Sequence, residues 1–198
     1  MQATEADCKK LYPFTLLMLD KGLNRLWKTY EVTTSDGYKL TVARIVGNNN
    51  GQVLPDDFGP VLLWHGEFGT GEDWMDTTTT TIGALPTRLF DIGYDVWIAW
   101  KRGTYPSKGH TDPTFNADYT DAAGAKKYWN FSSDEIGKQD LAAVVKAIHV
   151  QRGLDSATSN VFCDQVQIVT HSAGAAELAI FQSAYPNDTE RQVRNVIY

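Results

Sequence analysis

The chain has 198 residues, 42% of them hydrophobic and 21% charged, with a formal net charge of −6 and a pI near 5.1. That is one domain's worth of ordinary folded protein. Its acidity excludes nucleic acid as a partner, because phosphate binding needs a clustered basic face, and no Lys/Arg run exceeds the pairs Lys9-Lys10, Lys101-Arg102 and Lys126-Lys127.

The chain opens "MQATEADCKKLYPFTLLMLDKG", with acids before its first bases and a short apolar run from Phe14 to Leu19. This is not the basic-then-apolar layout of a secretory leader, and no stretch is apolar enough for long enough to span a bilayer. Cys8 and Cys163 form no C-x-x-C pair, so neither a metal site nor a disulfide framework is expected; a single bridge is open to them, and two buried thiols are the expectation. Residues 1–29 read as an N-terminal segment, and residues 30–198 as the first part of one α/β unit.

"YEVTTSDGYKLTVARIV" (30–46) alternates apolar and polar residues around Ser35-Asp36-Gly37, which predicts a β-hairpin whose turn needs Gly37. "GNNNG" (47–51) reads as a polar loop. "PVLLWHG" (60–66), "YDVWIAW" (94–100) and "VQIVTHS" (166–172) are short apolar runs that predict buried strands. "TTTTT" (77–81) predicts a solvated loop. Between the last two strands, Leu141, Val144, Val145 and Ile148 recur at i, i+3, i+4 and i+7, the spacing of one helix face. Ser132 and Glu135 form a capping box for that helix, and Gly153 is its stop. Apolar strands separated by helices, after an antiparallel start, indicate a mostly parallel sheet with helices on both faces.

The chemistry concentrates after the last of these strands. Thr170-His171-Ser172-Ala173-Gly174 is one letter short of G-x-S-x-G, the strand–turn–helix elbow that presents a nucleophilic serine. Ala173, Gly174, Ala175 and Ala176 are small enough for the following helix to pack close. An earlier strand ends at His65-Gly66, so the next amide, that of Glu67, is placed to share a developing oxyanion with the amide of Ala173. Both turns lie at the same edge of the sheet, where α/β proteins carry their sites.

With these motifs in this order, the chain resembles the N-terminal half to two-thirds of the acid lipases, the gastric and lysosomal lipases. "YEVTTSDGYKL", "HGEFGTGEDWM", "LFDIGYDVWIAWKRGTYPSKGH", "YWNFSSDEIGKQDLAAVV" and "VTHSAGAAE" carry the likeness. It implies an α/β-hydrolase fold, truncated after the elbow and the helix that follows it. It also implies hydrolysis of lipid esters of the triacylglycerol or cholesteryl ester type by a Ser-His-Asp triad, without cofactor or metal. Ser172 matches the nucleophile, the amides of Glu67 and Ala173 the oxyanion hole, and His65, Gly66, His171 and Gly174 the supporting positions. The chain departs from the family pattern at Thr170, in place of a glycine, and at Ala173, in place of a glutamine. It departs again at Glu67, in place of an apolar residue, and at Trp100-Lys101, in place of a small polar pair.

The triad's order is Ser, acid, His. After Ser172 the acids are Glu177, Asp188 and Glu190, and there is no histidine. His65, His110, His149 and His171 all precede the serine; His65 suits a structural hydrogen bond, His149 a place on a helix, and His110 a free loop. The Asp and His of the triad are therefore expected from a C-terminal part or a second chain. "VRNVIY" (193–198) reads as the start of the next strand, so a complementary chain or neighbouring subunit is expected to complete the sheet. The alternative is a catalytically inactive, hydrolase-derived subunit of a larger assembly. Two sequons begin at Asn130 and Asn187; Asn187 suits the surface, and Asn130, within the aromatic motif, is expected to be packed. The resemblance suggests a secreted or lysosomal location.

Overall fold

The computed structural model describes residues 25–48, 58–75, 84–153, 165–187 and 193–197. The cysteines, the Thr77–Thr81 run, most of the polar loop after β2, and Asp188 and Glu190 lie outside these. The predicted hairpin is β1 (Arg25–Thr33) and β2 (Tyr38–Asn48), paired antiparallel, with Gly37 at φ 97° in the turn. A positive φ there is cheap only for glycine. The strand begins at Arg25, five residues before the hairpin motif, because Arg25 to Thr29 continue the pairing onto Asn48 to Ala43.

The three apolar runs form β3 (Pro60–Trp64), β4 (Asp95–Trp100) and β6 (Val166–Thr170), and the last hydrophobic stretch forms β7 (Val193–Ile197). The sheet order is β1-β2-β4-β3-β6-β7, with two-residue β5 (Gly109–His110) pairing β2 off the main path. The pairs β3–β4, β3–β6 and β6–β7 are parallel, and β2 joins β4 antiparallel. This is the mostly parallel sheet that the strand and helix pattern predicts.

Each central strand sends alternate residues to opposite faces. On one face Leu62, Trp64, Trp97, Ala99 and Ile168 pack against the helices; on the other Val61, Leu63, Val96, Ile98 and Trp100 do so. Both faces are covered, and so the strands read as unbroken apolar runs.

The helices are α1 (Leu85–Asp91), α2 (Ala122–Tyr128), α3 (Ser133–Glu135), α4 (Ala142–Gln151) and α5 (Ala173–Ala184). Ser132 and Glu135 form the capping box, Gly153 ends α4 at φ 69°, and Leu141, Val144, Val145 and Ile148 are fully buried. Between α3 and α4, residues Ile136–Leu141 form a π-helical turn that the periodicity does not reveal. Gly137 within it approaches α5 so closely that a Cβ would lie 2.5 Å from the Glu177 carbonyl oxygen. The π turn also carries Asp140 into the core. Helices α1 and α2 and strand β5 are further elements that the sequence reading leaves unassigned.

Candidate active site

The site begins where β6 ends. Ser172 caps α5 at φ 54°, ψ −126°, a backbone state that non-glycine residues rarely hold and that costs of the order of 1–3 kcal/mol. Its neighbours maintain it. The His171 amide donates to the Trp64 carbonyl at 3.3 Å, the Gly174 amide to the His171 carbonyl at 3.0 Å, and the Ala175 amide to the Ser172 carbonyl at 3.0 Å. The serine side chain is exposed and makes no capping bond, so among the described residues its Oγ is free to react.

Glycine is required on both sides of this turn. A Cβ on Gly174 would lie 3.0–3.1 Å from the Trp64 and His65 carbonyls, so a larger residue there would push the helix start away from β3. A Cβ on Gly66 would lie 2.9 Å from the Ser172 Cβ and 3.1 Å from the His171 Nδ1. The β3 loop thus passes directly over the serine. Neither the Glu67 amide nor the Ala173 amide donates to an acceptor among the described residues. Two free donors flanking an exposed serine at a helix N-terminus are suited to a negative oxygen. The Glu67 side chain is exposed.

His65 holds this loop. It is buried; its Nε2 accepts from the Lys101 amide at 3.2 Å, which leaves the proton on Nδ1 to donate to the Gly66 carbonyl at 2.8 Å. Burial, with the Lys101 charge beside it, holds the imidazole down at about 4, so it is neutral at neutral pH. Both ring nitrogens are occupied in binding the loop.

The departures at Trp100-Lys101 have partners. The Trp100 indole donates to Glu72 at 2.7 Å. Lys101, only 3% exposed, donates from Nζ to both oxygens of Glu177 at 3.0 and 2.9 Å, and the Trp64 indole donates to the same carboxylate at 2.7 Å. Burial raises the Glu177 carboxyl above its usual value, opposed by Lys101. Glu177 therefore ties the ends of β3 and β4 to the helix that Ser172 begins. Beside it, Arg102 binds Asp140 through its amide at 3.0 Å and Nε at 2.7 Å, and Asp36 at 2.7 and 3.0 Å. Its guanidinium stacks 3.8 Å from the centre of the Tyr38 ring.

Sequence reasoning placed Asp36 only in the hairpin turn, Lys101 only among the departures from the family pattern and Glu177 only among the downstream acids, and assigned nothing to Asp140. The available signal was charge within apolar sequence: Lys101 directly after "YDVWIAW" and Glu177 within "AGAAELAIF". Charges so placed are rarely buried unless paired.

The other histidines do not meet the serine. His110 is not free: its Nε2 reaches the Asp36 carbonyl at 3.0 Å, its Nδ1 accepts from the Asp112 amide at 2.9 Å, and its ring stacks on Phe115 at 4.0 Å. The expectation of a mobile loop fails because β5 pins this segment to β2. His149 is half-buried on α4. His171 is exposed, with its ring beside Gly66, and makes no hydrogen bond with Ser172 among the described residues. Asn130 is exposed rather than packed, since the aromatic contacts of its motif come from Trp129 and Phe131; Asn187 is exposed as expected. Among the described residues there is no cluster of three metal-ligating side chains, and no helix is long and apolar enough to cross a membrane.

Strand order, strained serine turn and overlying glycine loop together define an α/β-hydrolase. The fold is similar to that of carboxylesterase CesB from Bacillus subtilis, at a TM-score of 0.50 and 14% identity, covering 95% of this chain and 48% of that one. Within that class the chain is acid-lipase-like, as its motifs indicate: residues 26–78 match the family described as the partial alpha/beta-hydrolase lipase region. It is 35% identical over 127 residues to human lipase member M, covering 63% of this chain and 27% of that protein. It is 31% identical over 145 residues to rat gastric triacylglycerol lipase, covering 73% of this chain and 32% of that protein. The chain therefore spans no more than about a third of these relatives.

Proposed function

We propose that the chain carries the nucleophile and oxyanion hole of a lipid ester hydrolase. Ser172 attacks the ester carbonyl, and the amides of Glu67 and Ala173 receive the oxyanion. The observation that carries this reading is the exposed Ser172 held at φ 54° with Gly66 closed over it. The names of the relatives, which include a gastric triacylglycerol lipase and a lysosomal acid lipase/cholesteryl ester hydrolase, support esters of the triacylglycerol or cholesteryl ester type as substrate. The general base and its aspartate come from outside the described residues, from a C-terminal part or a second chain, since His65 and His110 are fully engaged.

A serine-directed fluorophosphonate tests this. Labelling at Ser172, lost in Ser172→Ala and accelerated when a polypeptide supplying the downstream Asp and His is added, is expected. Absence of labelling under both conditions leaves the alternative, a hydrolase-derived subunit without catalysis, in its place.

A further inference from the structure

The two donors assigned to the oxyanion belong to different elements. The Glu67 amide lies in the loop after β3, and the Ala173 amide opens α5. They serve one oxygen only while they keep one spacing, and a misplacement of about 1 Å can cost on the order of a hundredfold in rate. Among the described residues no hydrogen bond joins residues 66–68 directly to α5. The spacing is therefore held from beneath.

Glu177 spans that gap. It lies on α5 about one and a half turns beyond Ser172, and only 2% of it is exposed. Its carboxylate accepts from the Trp64 indole at 2.7 Å and from Lys101 Nζ at 3.0 and 2.9 Å. Each donor passes the constraint on through its own backbone. The Trp64 carbonyl accepts from the His171 amide at 3.3 Å, directly before Ser172. The Lys101 amide binds the His65 ring, and that ring holds the Gly66 carbonyl, directly before Glu67. One carboxylate thus bears on both sides of the serine turn. Among the described residues no other side chain of α5 hydrogen-bonds to β3, β4 or the loops after them. The Glu177 backbone is fixed as well, because Gly137 packs against its carbonyl oxygen.

We propose that Glu177 is a positioning residue of the hydrolase, holding the Glu67 and Ala173 amides at the spacing an oxyanion needs. The proposal rests on Ser172 being the nucleophile. Lys101 is the partner that makes this workable: it supplies a donor, and its charge cancels a carboxylate that would otherwise oppose negative charge nearby. The other end of β4 provides the contrast. There Asp95, also fully buried, is bound by Arg44 at 2.7 and 3.0 Å and by Arg152 at 2.7 Å. That cluster sits beside Pro60, at the start of β3, whereas Ser172 follows the strand ends that pair at Trp64 and Thr170. It can support the fold but not the hole.

The test follows modification of Ser172 by ethyl fluorophosphonate in the full chain, resolved by mass spectrometry into a saturation constant and a maximal rate. Lys101→Met/Glu177→Met exchanges the ion pair for apolar side chains of similar volume, an exchange that folds commonly tolerate, and removes the brace. Its maximal rate is expected to fall about tenfold or more, with the saturation constant within about twofold. Glu177→Asp keeps the charge but shortens the reach, and is expected to slow the reaction in the same way; it decides the matter if the double variant does not fold. Arg44→Met is expected to lower the denaturation midpoint and leave the maximal rate within about twofold. A pair acting by charge alone gives another pattern: Glu177→Gln faster, Lys101→Met slower and Glu177→Asp unchanged. That pattern, or an unchanged maximal rate in folded Lys101→Met/Glu177→Met, overturns the proposal.

If the probe leaves Ser172 of the unaltered chain unmodified, the nucleophile reading fails, and the brace is judged by nitrogen NMR of protein with isotopically labelled histidine. The Nδ1–H tautomer of His65 is expected to persist in Arg44→Met and to give way to a mixture in Glu177→Asp. Its persistence in both variants overturns the brace.

Discussion

The loops after β3 and β4 leave neighbouring strands and reach opposite conditions. The β3 loop exposes Glu67 and Phe68, holds Phe68 at positive φ and leaves the Glu67 amide without an acceptor among the described residues. At the start of the β4 loop, Lys101 and Arg102 are buried and each is bound to carboxylates. An open donor beside a reacting centre is useful only if it does not move, and a backbone carrying unsatisfied groups cannot hold itself. The saturated loop supplies that rigidity: the Lys101 amide fixes His65, which fixes the Gly66 carbonyl.

The largest effect in breaking this comparison is expected at Arg102. Arg102→Met strands Asp140, which is fully buried, and should destabilise the fold by roughly 3–5 kcal/mol in chemical denaturation. A loss below ~1 kcal/mol would show that the β4 loop is not the support it is described to be.

Gly66→Val attacks the other loop. Its Cβ would fall 2.9 Å from the Ser172 Cβ, so the loop must move away. A stability loss of ~1–3 kcal/mol should accompany a roughly hundredfold fall in Ser172 labelling. Unchanged labelling would mean that the loop does not serve the serine.

The groups that hold the two loops should also differ in the sign of their pH dependence. His65 is held down at about 4 from 6.5, so the folded state binds fewer protons than the unfolded one, and stability is lost as pH falls from about 6.5 toward about 4. Burial holds Asp140 up at about 6 from 3.8, so its contribution is present at low pH and lost as pH rises toward about 6; Glu177, raised by burial, acts in the same direction. The contributions oppose each other in the intact chain. In Asp140→Asn, stability should rise more steeply with pH between about 4 and about 6.5; in His65→Gln it should fall with rising pH over the lower part of that range. Slopes of the same sign in both variants would contradict the assignment.

Phe68→Ala should be the mildest change. The side chain is almost fully exposed, so stability should alter by less than about 0.5 kcal/mol, measurable as an unshifted denaturation midpoint.

Much of this architecture was legible in sequence because it depends on local pattern. Unbroken apolar runs gave β3, β4 and β6; the i, i+3, i+4, i+7 spacing gave the buried face of α4; and Ser132 with Glu135 gave the helix start. Ser172 was legible for the same reason: an elbow needs small residues at fixed offsets, and Gly174 and Ala175 stand there. The π turn was not legible: its Gly137 lies against α5, where a Cβ would be 2.5 Å from the Glu177 carbonyl oxygen, a contact that no local spacing reveals. His110 was misjudged for a similar reason: its partners Asp36 and Phe115 lie 74 residues before it and in the next turn, joined only when β5 pairs with β2.

By itself, then, the sequence determined the central strands, the buried face of α4, the hairpin, the serine turn and the acid-lipase likeness, since each is written in residues close together along the chain. Only the tertiary structure decided which charges are buried together. Lys101 and Glu177 are 76 residues apart, and Arg102 and Asp140 are 38 apart. Nothing in their neighbours specifies a partner. They meet because parallel strands bring their C-terminal ends to one edge of the sheet, and burial there makes each charge depend on the other.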